Sequence, residues 1–383
     1  MEYEDFIITN HYLYDISTCD YVLKNQSLHS EVKEVKKPKI IFTYLTRISF
    51  VNKDIDILNR EYDVVEFRFD TDQRSKIPFN YIKQFLFLLR HIWTSHYIVA
   101  FFAGYHTVLL IIFGKLFRKK VVFFLGGAEG HCFPEFGYGH QNKRLIGCLT
   151  CFSVKHADLL LPVDESIIYS HSDYYHRDKT QGLKHYCKGF NTPYAVIPLE
   201  YDATMFQAKD VERDPYGFIV VGFGIEGTSF MRKGVDLVIE AARALPDMNF
   251  TVLGVRKEEV TFDYPANVTL MPPVPYEELP YYYSRNRFYL QLSIAEGFPS
   301  AICEAMLCEC VPIGSNIAAI PEIIGNCGFL LQERDPQKLV ELIQETVKRT
   351  DLRALGKDAR NRIRQNFGLG SRAVQLLDIF RKI

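Results

Sequence analysis

The sequence carries no excess of either charge. Its 45 Lys and Arg face 46 Asp and Glu, a net charge of −1. Nucleic-acid modules carry a basic surplus, so no nucleic-acid partner is expected. Long uninterrupted apolar runs are also missing. The longest stretch, residues 97–113, is punctuated by Gly104, Tyr105, His106 and Thr107. It reads as a buried strand entering a buried helix, not as a membrane span. The first residues, MEYEDFIITN, lack the basic start and apolar run of a secretory signal. Nine cysteines, an odd count scattered over the chain, fit free thiols in a reducing cytosol better than a disulfide framework. A cytoplasmic location is therefore expected. There is no G-x4-GK[ST], no H-E-x-x-H and no G-x-S-x-G.

What is present is ordinary globular composition, with 48% hydrophobic and 24% charged residues over 383 positions. That length exceeds one hydrophobic core and predicts two or three domains. Residues 1–38 end in EVKEVKKPK and read as an appendage and linker. From Lys39 onward, short β-branched and aromatic runs alternate with helical patterns. KIIFTYL, DVVEFRF, YIVAFFA, VVFFLGG, DLLLPV and AVIPL read as strands. After residue 215 the alternation restarts, with strands at GFIVVG, NFTVLG, NVTLM, RFYLQLS and CVPIGS, and residues 328–331 a further candidate. Strands alternating with helices make βαβ units and parallel sheets. Two such sheets facing each other form a cleft beyond the carboxyl ends of their strands.

The chemistry concentrates in LSIAEGFPSAICEAMLCECVPIGSNIAAIPEIIG. Glu296 follows a strand in a Gly-Phe-Pro loop, and Glu304 lies on the first turns of the next helix. Loop and helix N-terminus aim at the same strand end. Free N–H groups there can cradle phosphate or hydroxyl groups, and a carboxylate beside them can accept from two sugar hydroxyls.

The carboxyl half resembles retaining glycosyltransferases of family 4, which have the GT-B fold. The resemblance rests on Gly222, Lys233-Gly234, Gly254, Ser293, Glu296-Gly297-Phe298-Pro299, Glu304-Ala305-Met306, Pro312, Ser315 and Pro321-Glu322-Ile323-Ile324. Pro198, Asp202 and Phe206 are similar to that family's entry to its second domain. It covers residues 39–380 and is strong in the second half and weak in the first. It implies an α/β fold of two Rossmann-like doubly wound parallel-sheet domains around a central cleft. The expected division is 39–205 for the acceptor domain and 206–370 for the donor domain, with 371–383 a helix crossing back to the first. By resemblance, Glu296 holds donor-sugar hydroxyls beside the backbone of Gly297, Phe298 and Pro299. Glu304 holds the ribose, and Gly222 and Ser300 complete the donor site. Lys233 neutralises the leaving diphosphate. Where the family usually has an arginine this chain has Phe223, and Arg232 is the neighbouring substitute. The implied reaction is transfer from a nucleotide-sugar, UDP- or GDP-linked, to a glycan or lipid-linked glycan with retention. No cofactor and no metal are expected, the nucleotide-sugar being a substrate.

The first half departs from the family's pattern. TRISFVNKD has no glycine, and VVFFLGGAEGH stands where a strand-end histidine is usual. Gly127, Glu129 and His131 are the nearest groups for acceptor or sugar binding. Arg47, Ser49 and His106 are further candidates. Asp54-Ile-Asp56 and Asp70-Thr-Asp72 match a metal-binding D-x-D, but one falls in a helical pattern and the other in a polar loop. Cys148 and Cys151 resemble half a zinc site within an apolar run. Lys115-Leu-Phe-Arg-Lys-Lys after an apolar helix, with the aromatics of residues 79–93, raises a peripheral contact with a membrane surface. Two rival readings are a GT-B UDP-sugar epimerase and a non-catalytic sugar-nucleotide-binding subunit.

Overall fold

The computed structural model describes residues 37–383, except 72, 177–178, 223–226 and 257–259. Expectations for residues 1–36, Asp72 and Phe223 therefore lie outside the described residues. Pro38–Ile383 forms one compact unit. It holds two parallel sheets, as the alternation of runs predicts.

The first sheet contains β1 (Lys39–Tyr44), β2 (Asp63–Arg68), β3 (Ser95–Phe101), β4 (Lys120–Leu125) and β5 (Leu159–Pro162), in the order β2-β1-β3-β4-β5. A two-stranded hairpin, β6 (Ser170–Ser172) and β7 (Lys179–Gln181), follows. The second sheet contains β8 (Asp214–Val221), β9 (Asn249–Leu253), β10 (Val268–Met271), β11 (Asn286–Gln291), β12 (Val311–Ser315) and β13 (Phe329–Leu331). Its order is β10-β9-β8-β11-β12-β13, the doubly wound order whose winding reverses between β8 and β11. At its centre the Phe218 ring stacks between Phe250 and Phe288, with centroids 5.0 and 4.6 Å away. Three fully buried rings in register tie β9, β8 and β11 together.

Two expectations fail. The segment AVIPL is not a regular strand. Ala195 and Ile197 donate to Leu160 and Pro162, but Pro193 and Pro198 supply no N–H, so only an isolated bridge at Tyr194 forms. Nor are all thiols free. Cys151, on the helix Arg144–His156, is disulfide-bonded to Cys187 at a Cα separation of 5.2 Å. Folding thus brings together two cysteines 36 residues apart, and leaves Cys148 unbonded.

The chain passes between the sheets twice, side by side. Tyr201 N–H donates to Phe367 O at 2.8 Å. Glu200 accepts from the Gly370 and Arg372 amides at 2.8 and 3.1 Å, satisfying the open N–H groups of the last helix, Ser371–Lys382. That helix packs beside Ser49–Asn59 on the first sheet, and Tyr97 donates to Phe380 O at 3.1 Å. Its anchor is a buried ion pair. Arg372, 2% exposed, donates to both carboxylate oxygens of Asp54 at 2.6 and 2.8 Å, and to Ile197 O and Pro198 O. The Asp54 of the D-x-D pattern is thereby a structural counter-ion.

Removing one partner strands the other as a buried charge, which costs about 3–5 kcal/mol. Arg372→Ala is expected to lower the urea midpoint accordingly. The joint change Asp54→Leu with Arg372→Met should cost much less, and equal losses for both would contradict this role.

Candidate functional site

The residues expected to bind the donor converge at the carboxyl ends of β8 and β11, where the winding reverses. Gly222 follows β8, its N–H donating to Leu253 O at 3.0 Å. The helix Thr228–Arg232 then delivers Lys233 and Gly234. Gly234 has φ 75°, and a Cβ on it would lie 2.2 Å from Leu292 O, so only glycine lets the chain run this close to the end of β11. Arg232 O accepts Ile294 N–H at 2.8 Å, stitching the two strand ends together.

This stitching sets Lys233 against Glu296, with Nζ to Oε1 at 2.5 Å. Ser293 donates to the same carboxylate at 2.8 Å and Gln291 at 3.3 Å. Burial pushes the Glu296 carboxyl up, but Lys233, Arg232 and the Ser293 hydroxyl outweigh it and hold the group below its ordinary value. Glu304 sits in the opposite setting. Burial raises it, and it accepts from the phenols of Tyr276 at 2.7 Å and Tyr283 at 3.2 Å. One carboxylate is thus ionised by fixed cations, and the other is sheltered among tyrosines. Phe298 is buried between Tyr201 and Phe367, and Pro299 precedes the helix Ser300–Leu307. Ser300 Oγ accepts from Tyr201 at 3.1 Å.

Across the cleft, Gly127 meets this loop directly. A Cβ on Gly297 would lie 1.8 Å from Gly126 O, and one on Gly127 would lie 3.0 Å from Gly297 Cα. Glu129 shapes that contact. Its carboxylate, fully buried, accepts from Ala103, Gly126 and Gly127 N–H at 3.3, 3.4 and 3.0 Å. Both oxygens are committed to backbone, so Glu129 positions the glycine turn and is not poised for acid–base work. His131 lies nearby and lines an inter-domain cavity of about 330 Å³ together with Glu296, Lys179, His171 and Asn316. Its Nδ1 makes no hydrogen bond among the described residues. Burial, offset in part by Glu296, lowers its pKa to about 4.

The remaining candidates separate. Ser49 lines a small inter-domain pocket with Lys53, Tyr276 and Ser300, on the Glu304 side. Arg47 turns away to Asn52 and Glu66, at 2.8 and 3.5 Å. His106 is buried against Phe69 and lines neither of these cavities, so it is a core histidine. Arg232 lays its guanidinium over the Tyr138 ring at 4.8 Å. Tyr276, Tyr283 and Gln291 were not among the expected site residues. Only Gln291, a polar residue at the end of an apolar strand, carries a signal in the sequence. Among the described residues no group of three or more His, Cys, Asp or Glu is arranged to hold a metal ion.

Two Rossmann-like sheets, with a cation–carboxylate pair where they meet, define a GT-B architecture. Comparison with known proteins agrees. Residues 226–366 match the family described as "Glycosyl transferases group 1", so the second half carries a domain of that family. Over 239 residues the chain is 27% identical to a component of the phosphatidylinositol N-acetylglucosaminyltransferase of Arabidopsis thaliana, covering 60% of this chain and 48% of that protein. The chain spans about half the length, or less, of the curated relatives it matches. Sucrose-phosphate synthase from Thermosynechococcus elongatus superposes with a TM-score of 0.69 at 14% identity, over 90% of this chain and 99% of that one. Anabaena HepE in complex with UDP-glucose superposes at 0.64 with 16% identity, over 90% and 100%.

A histidine with a pKa of about 4, against an ordinary 6.5, is neutral in the folded protein at pH 5 and largely protonated in the unfolded chain. Stability contributed by His131 is therefore whole above pH 6.5 and is lost as pH falls towards 4. The slope is about 1.4 kcal/mol per pH unit for one proton. Urea unfolding at pH 7 and pH 5 should show His131→Gln losing about 1–2 kcal/mol less than wild type over that interval. An unchanged pH dependence would contradict this environment for His131.

Proposed function

We propose that the protein is a retaining, metal-independent glycosyltransferase that moves a sugar from a nucleotide-sugar to a glycan or lipid-linked glycan in cell-surface polysaccharide or glycoconjugate synthesis. The observation that carries this reading is the pair of half-buried Lys233 with buried Glu296 at the strand-end crevice, its carboxylate lining the same cavity as His131. A diphosphate entering the crevice competes for Lys233 and releases Glu296 towards the sugar hydroxyls. Negative charge then grows on the leaving phosphate as the anomeric bond breaks. Lys233 and Arg232 oppose that charge from a site walled by protein, where a fixed cation acts strongly. His131 is neutral, its Nδ1 has no partner among the described residues, and it stands on the acceptor side of the same cavity. Water is kept from the oxocarbenium-like sugar by the Gly127–Gly297 contact. A lipid-linked acceptor is favoured because the Arabidopsis relative carries phosphatidylinositol in its name. UDP is the first nucleotide to try because HepE was crystallised with UDP-glucose.

The test is thermal stability with UDP, GDP, ADP and CMP in EDTA, followed by turnover of the matching sugar donors. A nucleotide at about a hundred times its dissociation constant adds about 2.7 kcal/mol. One nucleotide is expected to stabilise wild type without metal, and Lys233→Ala should abolish most of the shift. Lys233→Ala is also expected to lower kcat about a hundredfold to a thousandfold, as for removal of one preorganised charge donor. Stabilisation that requires a divalent metal would contradict the reading. Tight nucleotide binding with no turnover on any acceptor would favour the non-catalytic reading instead.

A further inference from the structure

We infer that one face of the first domain is a docking surface for an anionic lipid bilayer. The face is the layer of three helices Ile77–His91, Val108–Phe117 and Arg144–His156, which cover one side of the first sheet. The first of these helices is inside out. Its buried residues include Asn80 and Gln84, which donate to Asp70 O and His106 O at 2.7 and 3.0 Å. Its outward stripe is apolar, with Ile82, Leu86 and Leu89 exposed by 56%, 59% and 38%, and Trp93 beyond its end by 70%. An ordinary surface helix has the reverse polarity.

The stripe does not stand alone. Phe85 and Phe113 meet edge to face at 5.5 Å, and Trp93 and Phe117 at 4.8 Å, so the first two helices lie side by side. Leu116 on the second and Leu145 on the third are each 71% exposed. Scattered apolar residues on a surface need no explanation, but a set joined across the first two helices by ring contacts, with a further exposed leucine on the third, marks an interaction site. No helix among the described residues is long and apolar enough to cross a membrane, so the face would lie on a bilayer.

Charge selects the occupant. The three helices contain Lys83, Arg90, Lys115, Arg144 and Lys155 and not one Asp or Glu. The sequence continues with Arg118-Lys119-Lys120 directly after the second helix. Lys115 has an acidic neighbour, Asp158, at 3.8 Å. This local surplus exists in a chain whose net charge is −1. Apolar side chains surrounded by cations match an anionic headgroup layer over an acyl interior. A second copy of the chain would bring the same cations face to face.

The test is co-sedimentation of the full chain with phosphatidylcholine vesicles, with and without about one-third phosphatidylglycerol. Binding is expected to rise at least about tenfold with the anionic lipid, and to fall as salt shortens the Debye length from about 10 to about 3 Å. Leu86→Glu with Leu116→Glu should abolish binding while far-UV circular dichroism and the melting temperature stay unchanged. Lys83→Glu with Arg90→Glu should remove the preference for phosphatidylglycerol. Wild-type protein that remains in the supernatant with anionic vesicles overturns the proposal. So does a dimer in sedimentation velocity that the Leu86/Leu116 pair converts to monomer without any vesicle binding. No nucleotide is present in the assay, so its failure leaves the donor-site reading standing, and the reverse also holds.

Discussion

The constraint on which the site depends is the cost of a buried carboxylate. Glu296 lies at a strand end with little access to water, where an unpaired charge would be expelled or protonated. Lys233, Ser293 and Gln291 remove that cost, and each comes from a position the fold must supply. Gln291 ends β11, Ser293 follows it in the loop, and Lys233 comes from the β8 side directly before a glycine that rides over Leu292. The arrangement holds a cation beside the carboxylate. Glu304, on the helix that follows, has no such cation at bonding distance among the described residues and is held by two phenols. The same residue type therefore carries two electrostatic states within one crevice, as sites that divide labour between carboxylates require.

A second constraint is the glycine contact between the domains. Gly126, Gly127 and Gly297 bring two backbones closer than any side chain would permit. Glu129 spends a fully buried carboxylate on holding its half of that contact. The two chain crossings lie together at Tyr201 and Phe367, and Arg372 fastens the last helix to Asp54 in the first domain. The glycine contact and the tether lie at different places between the domains.

The carboxyl half was legible because its chemistry is local in sequence. Glu296, Gly297 and Glu304 fall within nine residues, and Lys233-Gly234 sits at a fixed place after a strand. The alternation of apolar runs likewise predicted every strand of the second sheet. Reading failed where partners are distant. Nothing near Glu304 announces Tyr276, 28 residues earlier, and nothing near Asp54 announces Arg372, 318 residues later. Glu129 reads as a candidate for acceptor or sugar binding until its three backbone donors are seen. Proline punctuation turned the AVIPL strand into an irregular extended segment, and the Cys151–Cys187 bond needed two segments that only the fold brings together. The inside-out helix is visible as an apolar stripe, but periodicity cannot say which face is buried.

The most direct measurement is a crystal structure with a non-hydrolysable analogue of whichever nucleotide-sugar binds. The diphosphate is expected within about 3 Å of Lys233 Nζ, an ordinary charge-assisted contact. The Lys233–Glu296 pair is expected to be open, with the sugar between Glu296 and His131. A diphosphate bound elsewhere, with that pair intact, would contradict this.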